Sequence, residues 1–140
     1  IKMEPRKETL QGKRILWLDA EGEKACIGTA IYLENMGCEV DIVQDRISAQ
    51  KKSERVDYDL LMVEPYPDYL SRGKIAAERM KHFMEDRNKS INVIVASSQE
   101  EEWLNNAGIE RGTHYRDFHS KPWYESIIRS SIEEHLRKSH

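Results

Sequence analysis

The sequence predicts an α/β fold: an open, doubly wound parallel sheet with helices on both faces. Three observations carry this. Short apolar segments alternate five times with segments of helical periodicity along the chain. Some of the apolar segments are apolar at every position instead of every second one, the pattern of a strand buried on both faces. Polar groups then gather at or just after strand ends, namely Asp19, Glu64, Ser97 and Lys121. In open α/β sheets the carboxyl ends of the strands are where function sits.

Each element has a local reason. Residues 1–12 are polar, with Pro5 and Gly12, and read as a lead-in to a domain spanning 13–138. Arg14, Ile15, Leu16, Trp17, Leu18 and Asp19 form an apolar run closed by an acid, a buried strand. A helix follows over 23–36, with Cys26, Ile27, Ala30 and Leu33 at helical spacing and Gly37 as its cap. The second strand, 38–43, alternates Val40 and Ile42 with Glu39 and Asp41, and a short polar helix covers 46–55. The third strand, 59–64, is apolar up to Glu64, and Pro65 and Pro67 end it. After a loop to Gly73, a helix over 74–85 turns Ala76, Met80 and Phe83 inward. The fourth strand, 91–96, ends at Ser97 and Ser98, and the helix over 99–106 is read as opened by a serine cap with acids in its first turn. A weak fifth strand, 115–119, leads to Lys121 and Pro122. The last helix, 123–138, points Ile127, Ile128, Ile132 and Leu136 to the core.

Bulk properties narrow the function classes. The 140 residues suit one core, and 39% apolar with 34% charged residues describes a folded domain with a highly charged surface. A net charge of −3 argues against a general nucleic-acid binder. No apolar run is long enough to cross a bilayer and no signal peptide is visible, so the expected location is cytoplasmic. Cys26 and Cys38 form no C-x-x-C pair and read as reduced, mostly buried thiols. His114 and His119 share a loop without zinc-ligand spacing. No Walker A or G-x-G-x-x-G pattern supports a nucleotide site. The start at Ile1 suggests a piece of a longer protein.

The ordered set of polar groups resembles the receiver domains of two-component signalling. The resemblance spans 13–138. It rests on Gly12-Lys13-Arg14-Ile15-Leu16 ahead of Asp19, and on Leu33-x-x-x-Gly37-x-x-Val40. It continues with Asp59-Leu60 followed by Glu64, with Ile94-Val95-Ala96-Ser97-Ser98, and with Phe118-x-x-Lys121-Pro122. The resemblance implies a flavodoxin-like sheet in the order 2-1-3-4-5. It also implies Glu64 at the phosphoacceptor position, an acidic pocket of Asp19 and Glu21, and switch residues Ser97, Phe118 and Lys121. The lead-in is similar to receivers carried by hybrid histidine kinases.

The departures point to a degenerate site. Family members carry two adjacent acids after the first strand, the second of which binds Mg²⁺. Here the pair reads Asp19-Ala20. Glu64 replaces the acceptor aspartate, and its extra methylene displaces the nucleophilic oxygen by about 1.5 Å, where about 1 Å can cost a hundredfold in rate. The loop 64–73 and the lengthened segment between Gly112 and Lys121 also differ from the family. A metal is therefore not expected, beyond weak Mg²⁺ at Asp19, Glu64 and Tyr66. Glu64 is expected to reach toward Lys121 or Ser97 as a fixed negative charge that partly imitates a phosphoryl group. The resulting expectation is a non-catalytic pseudo-receiver. It would act on a histidine kinase, a phosphotransfer protein or an output domain, or pair with itself, through its last two helices and fifth strand. Two alternatives stand beside it: a working phosphorelay receiver phosphorylated elsewhere, on Ser97 or Ser98, and a small-ligand binder on the same fold.

Overall fold

The computed structural model describes residues 10–65 and 73–137. The elements are β1 (Arg14–Leu18), α1 (Glu23–Asn35), β2 (Glu39–Val43), α2 (Arg46–Arg55) and β3 (Leu60–Val63). They continue with α3 (Lys74–Asn88), β4 (Asn92–Ser97), α4 (Glu101–Asn106), β5 (Asp117–Ser120) and α5 (Glu125–Arg137). All strand pairs are parallel and the sheet order is β2-β1-β3-β4-β5, as expected from the sequence.

Strand alternation explains the continuous apolar runs. Leu16, Leu18, Leu61, Val63, Val93 and Val95 face one side, against Ala49, Met80, Phe83 and Met84 from α2 and α3 and Leu104 from α4. Their neighbours Ile15, Trp17, Leu60, Met62, Ile94 and Ala96 face the other, against Cys26 and Leu33 of α1 and Ile128, Ile132 and Leu136 of α5. With both faces covered, no position of β1 beyond Arg14, of β3 or of β4 is left for water.

Local signals set the ends. Asp45 caps α2, its Oδ1 accepting from the Ser48 N–H at 2.7 Å. Gly37 follows α1 at φ 97°, where the Cys38 N–H can close on the Leu33 carbonyl. A Cβ there would also meet the Gln11 side chain.

Three sequence readings need correction. Ile127, expected to point to the core, is 54% exposed, and Ile128, one position away and about 100° around the helix, takes the inward place; of the residues at helical spacing on α1, Ile27 is 44% exposed and Cys26 buried. The strand expected over 115–119 is Asp117–Ser120. Tyr115 is buried but lies outside the strand, in an isolated bridge with Arg111, and its carbonyl accepts the Gly112 N–H. No serine caps α4: Glu100 holds the cap position without a side-chain bond.

Asp117 ties β5 to its neighbours. It accepts from Ser131 Oγ at 2.6 Å and from the Phe118 N–H at 2.8 Å, with His135 Nε2 at 3.3 Å and His119 Nε2 and the Arg111 guanidinium both at 3.5 Å. Burial alone would raise its pKa, but the contacts from His119, His135, Ser131 and the Phe118 N–H outweigh it and hold the carboxyl well below the usual range. Both cysteines are free and buried, and burial pushes Cys26 up to about 12 and Cys38 up to about 11, the state of inert thiols.

Candidate functional site

Backbone bonds extend the sheet one residue past its strands and so aim the polar groups. The Asp19 N–H donates to the Val43 carbonyl at 3.0 Å, the Glu64 N–H to the Leu18 carbonyl at 2.9 Å, and the Lys121 N–H to the Ser97 carbonyl at 2.6 Å. Parallel strands in register end together, so β1, β3, β4 and the residue after β5 deliver Asp19, Glu64, Ser97 and Lys121 to one edge.

Two arrangements fill this edge. Lys121 Nζ lies 2.6 Å from Asp19 Oδ2, and Asp19 is only 1% exposed. The other Asp19 oxygen accepts the Glu21 N–H at 2.9 Å. Both oxygens of the acid are thus engaged by the protein's own donors.

Glu64, 4% exposed, turns toward β4 instead. Its Oε1 accepts the Ser98 N–H at 2.8 Å and Ser98 Oγ at 3.2 Å, and Oε2 lies 3.3 Å from the same N–H. Burial pushes the carboxyl up to about 7; the Ser98 donors, the Lys121 cation and the Ser97 hydroxyl pull against it without cancelling it. The neighbouring hydroxyl, Ser97 Oγ, is buried and accepts the Gln99 N–H at 3.0 Å.

The sequence candidates therefore divide. Asp19, Glu64, Ser97 and Lys121 meet at one edge. Glu21 contributes a backbone N–H, while its side chain is exposed. Phe118 is half-buried against the apolar core, its ring 6.4 Å from Tyr115. Tyr66 lies outside the described residues. The group sequence reasoning underweighted is Ser98, whose N–H and hydroxyl hold Glu64 at 2.8 and 3.2 Å, beside the contributions of Lys121 and Ser97 that the sequence did suggest. The Ser97-Ser98 doublet was the available signal, but a backbone donor carries no mark in a sequence.

A metal fits this arrangement poorly. Mg²⁺ takes one or two well-placed carboxylates in near-octahedral oxygen geometry. Each oxygen of Asp19 already has a donor, Ala20 offers no ligand, and burial pushes the Glu64 carboxyl up to about 7. No group of three or more His, Cys, Asp or Glu among the described residues is placed to hold a metal ion.

No helix among the described residues is long and apolar enough to cross a membrane. Exposed aromatics occur on the outer elements, with Trp103 of α4 at 56% and Tyr124, just before α5, at 79%.

No family model matches the chain, and no curated protein matches it. Solved structures do. A CheY-like response regulator receiver domain protein from Methanospirillum hungatei is 21% identical, with TM-score 0.68 over 90% of this chain and 94% of that one. A two-component response regulator from Clostridium difficile is 19% identical, with TM-score 0.66 over 90% and 97%. Response regulator TrrA from Thermotoga maritima, whose structure contains Mg²⁺ and BeF, is 18% identical, with TM-score 0.64 over 87% and 97%. The fold of this chain is that of response-regulator receiver domains.

Proposed function

We propose that this chain is a receiver-type module of two-component signalling that works through protein contacts and not through aspartyl phosphorylation, within a domain covering 13–138 after a lead-in of 1–12. One observation carries the reading. The carboxylate of Glu64 rests on the Ser98 N–H and hydroxyl while Lys121 is committed to Asp19. The donors at the end of β4 are the ones an oxyanion on a shorter side chain at position 64 would use, and here the protein fills them itself. Phosphoryl transfer needs an in-line nucleophile and charge neutralisation of the phosphoryl oxygens. A longer nucleophile with a raised pKa, beside an acid already paired with Lys121, meets neither need. The domain is read as non-catalytic and cytoplasmic, and its partner as a kinase, phosphotransfer or output domain, or a second copy. Exposed Trp103, Tyr124 and Ile127 support contacts through α4 and α5.

A second reading has one observation in its favour. Ser98 is exposed and its hydroxyl bonds to a buried carboxylate whose pKa lies near neutrality, the arrangement of an acceptor with a base. Acid-stable phosphate on Ser98 would distinguish it.

The test uses four proteins treated with Mg²⁺ and acetyl phosphate and weighed intact: the parent, Ala20→Asp, Glu64→Asp and the double variant. Each single change restores one requirement only, so little label is expected from either. The double variant is expected to take up base-labile phosphate. Label on Glu64 of the parent would overturn the proposal, and label on Ser98 would replace it by the second reading.

A further inference from the structure

On the opposite side of the sheet from α1 and α5, a groove of about 850 Å³ opens between α2 and α3. Its α2 wall comes from Arg46, Gln50, Ser53 and Glu54, a stripe at spacings of four and three. Its α3 wall runs through Ile75, Arg79, His82 and Asp86, again at spacings of four and three. Phe83 lines it as well and is 6% exposed, whereas Ile75 stands 69% exposed at one end. Two facing stripes with an apolar base form a trough that matches a third helix. A small molecule is the poorer match, because such ligands bury most of their surface and here Gln50, Glu54, Lys74 and Arg79 stand open to solvent.

Charge selects the occupant. The Glu78 carboxylate is taken by Lys81 at 2.7 Å, and Asp86 lies 3.8 Å from Arg87. Arg46 donates to neutral Gln50 at 2.7 Å, and no carboxylate among the described residues pairs with Arg46, Lys74 or Arg79. Lys74 also acts on Glu78, so Arg46, Lys74, Arg79 and Arg87 face Glu54, Glu78 and Asp86 across the lining, an excess of positive charge in a chain whose net charge is −3. The cations stand on both walls, so the complementary ligand carries acids on both flanks of an apolar stripe.

We propose that the α2–α3 groove is a docking site for an acidic amphipathic helix of a partner protein, with apolar side chains on Ile75 and Phe83 and carboxylates against Arg46, Lys74 and Arg79. The site is separate from the Glu64 edge and does not depend on its protonation or phosphorylation.

The probe is a synthetic helical peptide of about 18 residues, long enough to span α3, with a leucine stripe flanked by glutamates. Its control carries lysines in place of the glutamates. Amide shifts of the ¹⁵N-labelled protein are followed by NMR. The acidic peptide is expected to move signals of α2 and α3 and to bind at least about tenfold more tightly than the lysine peptide. Lys74→Glu with Arg79→Glu is expected to reverse that preference, and Ile75→Ser to weaken both peptides while leaving the rest of the spectrum in place. Equal binding of the two peptides, shifts confined to α4 and α5, or no response to the acidic peptide at millimolar concentration would each overturn the proposal.

Discussion

Replacing Glu64 by Gln is expected to stabilise the protein at pH 8 by about 2–3 kcal/mol and to leave it nearly unchanged at pH 5. The cause is the buried carboxyl, whose pKa rises from 4.5 to about 7 on folding. Between those values the folded state binds more protons than the unfolded state. Stability therefore falls as pH rises through that window and is flat on either side of it. Gln keeps an oxygen for the Ser98 N–H and hydroxyl but never acquires the charge whose burial is costly. Urea denaturation of both proteins from pH 5 to pH 8 isolates the effect, because every other titratable group is common to the two chains and cancels in the difference. A parent chain whose stability tracks the variant across the range would mean that Glu64 is not buried as an anion.

Lys121→Met acts in the other direction and more severely. Asp19 is 1% exposed, and removing its cationic partner leaves a buried carboxylate with only the Glu21 N–H for company. Breaking such a pair costs about 3 kcal/mol or more, while replacing both members costs far less. The single variant is expected to lose about that much, and Asp19→Asn with Lys121→Met to regain most of it. Thermal melts of the three proteins at pH 7 provide the check. A harmless single variant would mean that water reaches Asp19 and that the edge is open.

The sheet was legible because burial on both faces writes itself into β1, β3 and β4 as unbroken apolar runs, and because their ends are marked by Asp19, Glu64 and Ser97. Helix faces were read less sharply. Cys26 and Ile27 sit about 100° apart on α1, and composition does not say which of two adjacent apolar residues turns inward. β5 was displaced because Tyr115, which has the composition of a strand residue, is buried through an isolated bridge with Arg111 ahead of the strand. At the site, topology could be inferred from the order of residues along the chain, but pairing could not. Glu64 had Lys121, Ser97 and Ser98 within prospective reach, and Lys121 had two carboxylates to choose between. The outcome, Lys121 on Asp19 and Glu64 on a main-chain N–H, depends on side-chain length and on where a backbone group points. Glu21 illustrates the same limit, since an acid at the right position in the sequence serves the site through its backbone.

The central claim is that the Glu64 carboxyl occupies the β4 donors as a buried, titrating group. The ¹⁵N shift of the Ser98 amide, followed against pH in the parent chain and in Glu64→Gln, reports on it most directly. The Ser98 N–H donates to the carboxyl at 2.8 Å, so ionisation of Glu64 must change its shift. The expected result is a transition with its midpoint near 7 in the parent and none in the variant. A midpoint near 4.5, or the same curve in both proteins, would contradict the account and would place the Glu64 carboxyl in solvent, free of Ser98.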